Sequence, residues 1–249
     1  MRISVIVCAY NEAEWLAGCL DSLCRQTRPA DEIIVVNNAS TDATRGVAAR
    51  YPGVLIVDEP RKGLVVARRA GYLAASGDVL VYTDADCRAP EQWLARVAEA
   101  FGPADGPAGV YGPIAVTGPY RFYDWDLWGR LLIRIYDHTV APATHFLAQR
   151  LLRVGAVLYG GNFAVRREAL ERIGGFDTSI EFHGEDTNLA RRLSKIGHVR
   201  LSRRCHVSTS ARRYRALGRT TVFRLYVRNF CSELIRHRPS DTTHKDIRI

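Results

Sequence analysis

Three short apolar runs, ISVIVCA (3–9), EIIVVNN (32–38) and DVLVYTD (78–84), are too continuous and too β-branched for the half-exposed strands of an open antiparallel sheet. They read as strands buried on both faces. Helical stretches lie between them. Asn11 with Glu14 three residues on marks a helix start, followed by Leu16, Leu20 and Leu23 at helical spacing. Ser40 is placed to cap a helix in TDATRGVAARY, and the helical LVVARRAGYLAAS ends at Gly77. Strand alternating with helix predicts an α/β fold with a mostly parallel sheet, whose ligands lie beyond the carboxyl ends of the strands.

After residue 90 the regularity fades. Pro90 opens a helix through Phe101, a Gly/Pro-rich stretch from Gly102 to Pro119 encloses GVYGPIAV, residues 124–153 read as amphipathic helix, and 162–200 mix strand and helix. There is no internal repeat or linker, which predicts one continuous domain with a helical extension from about residue 210.

Charge narrows the partners. Thirty-five Lys and Arg against 26 Asp and Glu leave a formal +9, which favours phosphates, nucleotides or anionic lipid. No helix-turn-helix, zinc-finger or RNA-binding signature points to nucleic acid. Cys8, Cys19, Cys24, Cys87, Cys205 and Cys231 lack the paired short spacing of a zinc or redox site, so reduced thiols and a cytoplasmic setting are expected. MRISVIVCAYNEAE turns polar within ten residues and shows no cleavage pattern, and no uncharged apolar stretch is long enough to span a bilayer. The expectation is a soluble protein or one held at a membrane surface.

The third run ends in TDADC. Along a continuing strand Asp84 and Asp86 project together while Ala85 turns away. Two such carboxylates repel unless one is protonated or a cation joins them, and hard oxygen ligands suit Mg2+ or Mn2+, which would grip a diphosphate. A solvated turn, with Asp84 capping the next helix, is the plain alternative.

VIVCAYNE, VVNNASTD, ARRAGYLAASGD and TDADC are followed by GGNFAVRREALERIGGFD (160–177) and GEDTNLARRLSKIG (184–197). This order and spacing resembles the inverting glycosyltransferases of family two, from residue 3 to about 202. The resemblance implies a GT-A fold, a mostly parallel Rossmann-like sheet flanked by helices with a C-terminal helical extension. The implied glycosyltransferase domain covers 1–209, with a nucleotide-binding half to about 101 and an acceptor-side half over 102–209, and the extension covers 210–249.

It also implies a UDP- or GDP-linked sugar donor and a divalent cation. Ala9, Tyr10, Asn11 and Glu12 would hold base and ribose, with Tyr10 and Glu12 preferred, and Asn38 stands where many relatives carry an aspartate that touches the base. At least one of Lys62, Arg68 and Arg69 would face the diphosphate. Asp84, Ala85 and Asp86 would form the metal and diphosphate segment, with His206 as a third metal ligand and Arg212 and Arg213 closing from the same loop. Asp186, beside Glu185, would be the catalytic base that deprotonates an acceptor hydroxyl. A phosphate-monoester acceptor would need no base, and Asp186 would then orient it. Asp42 belongs equally well to a helix N-terminus.

Residues 217–238 place Phe223, Tyr226, Val227, Phe230 and Leu234 on one helical face, for which packing on the domain or a second subunit is preferred over an anionic membrane. Trp125, Trp128, Leu132 and Ile135 raise the same choice between core and acceptor cleft. The acceptor is unidentified, with a lipid or lipid-linked one in cell-envelope or glycan biosynthesis in view. Two rivals stand beside this reading. A nucleotidyltransferase would need a Gly-rich phosphate loop after the first strand, where CAYNEAEW has none. The other rival is a non-catalytic nucleotide- or lipid-binding module.

Overall fold

The computed structural model describes residues 1–102, 112–180, 183–236 and 240. GVYGPIAV therefore lies partly outside the described residues. The chain runs β1 (Ile3–Ala9), α1 (Ala13–Cys24), β2 (Glu32–Asn38), α2 (Thr44–Ala48), β3 (Val54–Glu59), α3 (Leu64–Ala74), β4 (Val79–Asp84) and α4 (Trp93–Phe101). It continues through β5 (Ala115–Thr117), β6 (Tyr120–Phe122), α5 (Leu127–His138), α6 (Val140–Phe146) and a π-helical turn at Leu147–Leu151. The rest is β7 (Asn162–Arg166), α7 (Arg167–Arg172), α8 (Glu185–Ser194), β8 (Val199–Leu201), β9 (Val207–Thr209), α9 (Arg212–Leu217) and α10 (Arg219–Arg236).

Seven strands form the main sheet in the order β3-β2-β1-β4-β7-β5-β8, parallel except that β7 runs against both β4 and β5. The three apolar runs are its central strands, and Ile3, Val5, Ile6 and Val7 of β1 are wholly buried. Each such side chain contributes about 1.5–3 kcal/mol on leaving water. One core packs α1 and α4 on one face of the sheet, and a second packs α3, α7 and α8 on the other. A small third cluster joins Phe122, Trp125 and Ala211 beside the two-stranded β6-β9 sheet.

Local starts differ from expectation in instructive ways. Asn11 takes φ 49° instead of capping α1, whose N-cap Glu12 makes no side-chain cap bond. The neighbouring loop serves instead: Asp42 Oδ2 accepts from Ala13 N at 3.1 Å and Thr44 Oγ1 from Glu12 N at 2.8 Å. Ser40 does not cap α2; its hydroxyl accepts from Asn11 N at 3.1 Å. The loops after β1 and β2 are thus laced together. Helix α4 begins three residues after Pro90, and β3, to which the sequence reading assigned no strand, pairs parallel with β2.

Of the two surfaces expected to receive the C-terminal helix, the domain takes little of it. Val222 and Asn229 are buried and Phe230 is half-buried, whereas Phe223, Tyr226 and Val227 are exposed, so a second subunit is the remaining surface for that face. The side chain of Leu234 lies outside the described residues.

Candidate active site

The strand order turns about β1. The chain proceeds from β1 through β2 to β3 on one side, and β4 lies on the other. Such a switch leaves a crevice beyond the carboxyl ends of β1 and β4. Cys8 stands in register opposite Asp84, so Ala9–Glu12 and Asp84–Cys87 leave the sheet side by side. The strand stops at Asp84 and Cys87 N donates to Asp84 O at 3.0 Å. A tight turn, and not strand alternation, therefore brings Asp84 and Asp86 together.

One ligand atom from each of Asp84, Asp86 and Cys87 fits within 4.8 Å of the others. Burial, then the charges of Asp86 and Asp84, push the Cys87 thiol well above its usual range, so it stands there as a neutral, soft group. The two carboxylates are the hard donors that fit Mg2+ or Mn2+. Burial lifts the Asp86 carboxyl to about 6, against the pull of Arg212 and with the push of Asp84 and Glu12. Excess negative charge in a half-dry crevice is the chemistry of a cation site.

Arg212, on the first turn of α9, meets that charge from the far end of the chain. Its guanidinium lies 2.6 Å from Glu12 Oε1 and 3.0 Å from Asp86 Oδ2. Thr209 Oγ1 donates to Asp86 Oδ1 at 3.3 Å, and Tyr123 Oη to Asp86 O at 3.2 Å. Arg213 lies in the same turn and reaches Tyr226 Oη at 3.5 Å.

Gly160 and Gly161 let the acceptor-side elements approach. A Cβ at Gly161 would stand 2.1 Å from Asp84 Oδ2, and one at Gly160 would stand 2.9 Å from Glu185 Oε1 and 3.5 Å from Asp186 Cβ. A two-glycine segment therefore separates the first acidic pair from the second. Arg68 is buried against Glu185 in a close ion pair and donates to Gly160 O at 2.7 Å. Burial pushes the Glu185 carboxyl up, to about 7, despite Arg68. Burial also raises Asp186, opposed by the bond its Oδ1 accepts from Thr187 N at 2.7 Å.

Other expected residues are placed differently. Lys62 Nζ lies 2.8 Å from Tyr10 Oη, which brings that pair to the crevice, while Arg69 is exposed. Asn38 is committed to backbone: Nδ2 donates to Glu59 O and Arg61 O, and Oδ1 accepts from Gly63 N at 2.8 Å. Its side chain thus shapes the 59–63 loop, and the second lone pair of Oδ1 is what it keeps for a base. The methyl of Ala85 is buried in the core, which leaves only its backbone for the ligand. His206 does not join the acidic group. Its Nδ1 contacts Arg203 O at 3.3 Å, because Val207 and Thr209 occupy the inward face of β9 and it is Thr209 that reaches Asp86. Trp125 is core, whereas Trp128, Leu132 and Ile135 are exposed. Sequence reasoning missed Tyr120, Tyr123 and Thr209, which come from strands of three residues or the loops beside them, too short to show a period.

Comparison with known proteins gives the fold and site a lineage. The sequence profile of glycosyl transferase family 2 matches residues 4–174. The chain belongs to glycosyltransferase family 2. AglE, a glycosyltransferase of Haloferax volcanii, is 27% identical over 203 residues, 79% of this chain and 62% of that protein. A dolichol-phosphate mannosyltransferase of Pyrococcus furiosus is 34% identical over 178 residues, 70% of this chain and 48% of its own. The chain thus spans less than two thirds of either relative.

Two solved structures share the GT-A fold. The mannosyltransferase PcManGT of Pyrobaculum calidifontis, in complex with GDP-Man and Mn2+, superposes with TM-score 0.71 at 22% identity, covering 95% of this chain and 63% of that one. Glucosyl-3-phosphoglycerate synthase of Mycobacterium tuberculosis, with Mn2+, UDP-Glc and phosphoglyceric acid, gives 0.59 at 21%, covering 94% and 79%. The family match sets the chain with the glycosyltransferases of family 2 and not with the nucleotidyltransferases.

Proposed function

We propose that this glycosyltransferase is metal-dependent and inverting, and moves a sugar from a UDP- or GDP-linked donor to a lipid or lipid-linked acceptor in envelope or glycan biosynthesis. The observation that carries the reading is the convergence of Asp84 and Asp86 across Gly160–Gly161 from Glu185 and Asp186. Residues 1–101 form the nucleotide-binding half, 102–209 the acceptor-side half and 210–249 the extension. PcManGT binds GDP-Man and the mycobacterial synthase UDP-Glc, each with Mn2+, which supports the donor class and not a choice within it.

Asp84 and Asp86 would hold the divalent cation, which would supply positive charge for a departing nucleoside diphosphate. Arg212 adds a second cation at the same place, tethered by Glu12. Ala9, Tyr10, Asn11 and Glu12 hold the nucleoside, with Lys62 beside Tyr10. Arg68 braces Glu185 and so fixes the first turn of α8. Asp186 takes the proton from the acceptor hydroxyl as that oxygen bonds to the anomeric carbon and the bond to the diphosphate oxygen breaks. Its raised pKa makes it a better base than an open carboxylate.

The site works at the cytoplasmic face of a membrane. No helix among the described residues is long and apolar enough to cross one. Leu127, Trp128, Leu132 and Ile135 of α5 and Phe146, Leu151 and Leu152 after it are exposed, and Arg150 and Arg153 stand exposed beside the last of them. An apolar face rimmed by cations suits an anionic lipid surface.

The test is a screen of UDP- and GDP-sugars with Mn2+ or Mg2+, reading nucleoside diphosphate release. Turnover should appear with one donor and fall about 100- to 10,000-fold in Asp186→Asn. Pyrophosphate release, or no turnover with any donor, contradicts the proposal.

A further inference from the structure

Between β6 and α5 lies a cavity of about 220 Å³, lined by Tyr120, Arg121, Arg130, Arg134, Asp137 and Arg203 among others. Its lining holds four arginines and one aspartate. Among the described residues, no acid pairs with Arg121, Arg134 or Arg203; Arg130 spends its bonds on the carbonyls of Trp125 and Tyr123. Asp137 is turned aside, accepting from Tyr159 Oη at 2.6 Å. Burial, then repulsion from Arg134 and Arg96, lowers the pKa of Arg121, as expected of cations gathered without a counter-charge.

Helix α5 is built for this. Arg130, Ile133, Arg134, Asp137 and His138 follow at i, i+3, i+4, i+7 and i+8 and line the cavity, while the apolar residues point outward. The polar stripe faces in, which makes sense where the cavity holds a charged ligand. Tyr120 lines this cavity and also reaches the donor crevice: its Oη accepts from Gly161 N at 2.6 Å, beside Asp84.

We propose that the cavity between β6 and α5 binds a phosphate group carried by the acceptor. Several guanidinium groups converging on one pocket are the usual means of holding a phosphate, through charge-assisted paired hydrogen bonds. The phosphate comes from a lipid headgroup or from a soluble phosphate ester, and the arms of the test separate these. The acceptor's role rests on the transferase reading; the binding does not.

The experiment is calorimetric titration of the intact chain, in EDTA, with inorganic phosphate, a water-soluble short-chain isoprenyl phosphate, and the matching alcohol. The isoprenyl phosphate should bind, the alcohol should not, and Arg121→Gln/Arg134→Gln should weaken binding at least about tenfold. Both arginines are exposed, so the double variant should retain the far-ultraviolet circular dichroism of the parent. Arg212→Gln, at the donor crevice, should leave this binding unchanged. Tighter binding of the isoprenyl phosphate than of inorganic phosphate supports a lipid source, and equal binding supports a soluble ester. No phosphate binding by the parent, or equal affinity in the double variant, overturns the proposal, while nucleoside diphosphate release would still report separately on the transferase.

Discussion

Helices α4 and α5 carry comparable apolar stripes and turn them opposite ways. In α4, Trp93, Leu94, Val97 and Phe101 are at most 2% exposed, whereas in α5 Leu127 is 78%, Trp128 70% and Leu132 59% exposed. The difference lies in what each helix finds beside it. Helix α4 lies on a broad sheet face already lined by Val79 and Val81, and its stripe completes that core. Helix α5 lies beside β6, a three-residue strand in which Phe122 is the buried residue, and its arginine stripe turns to the cavity instead. Periodicity tells that a helix forms and which residues share a stripe; the neighbouring surface decides where the stripe points.

That contrast can be broken by substitution. The largest effect belongs to α4: Leu94→Ala should cost about 2–5 kcal/mol in urea denaturation, since the cavity it leaves lies in rigid core. The next belongs to the carboxylate that α5 buries. Asp137 is 6% exposed and burial lifts its carboxyl to about 6, from an ordinary 3.8. Below about pH 4 folded and unfolded chains both hold this proton, so it costs nothing. As pH rises to 6 only the folded chain keeps it, stability falls, and above 6 the full penalty remains. Asp137→Asn retains an acceptor for Tyr159 and should therefore gain about 1–2 kcal/mol at pH 8 and nothing below pH 4, read as a difference in thermal unfolding. The smallest effect is Leu132→Ala, within about 0.5 kcal/mol, because the side chain is already in water. A loss of several kcal/mol there would mean that α5 hides its stripe in solution.

The two halves also differ in how far they could be read from sequence. In the first half the runs at 3–9, 32–38 and 78–84 are long enough for burial on both faces to leave its mark, and Asp84 and Asp86 end one of them. Even there β3 passed unread, because two of its six residues are exposed and three are half-buried, which leaves its alternation weak. In the second half β5, β6, β8 and β9 have three residues each, less than any periodicity needs, so Tyr120 and Thr209 could not be placed. His206 lies three residues before Thr209, the residue that reaches Asp86, and an odd offset puts the two on opposite faces, a phase that only strand pairing fixes. Asn38 carries a group suited to a base but spends most of it on the backbone of 59–63, a tertiary fact that no local pattern encodes. The glycines at 160 and 161 were legible as a motif; their reason, a carboxylate where a Cβ would stand, required the fold.

Whether Asp84 and Asp86 bind donor through a divalent cation is read by titrating GDP-mannose and UDP-glucose into the parent chain and into Asp86→Asn, each with Mn2+ and with EDTA. Mn2+ should tighten binding of one donor by at least about tenfold in the parent and have no such effect in the variant. Equal donor affinity with Mn2+ and with EDTA in the parent would rule the cation out as the link between these carboxylates and the donor.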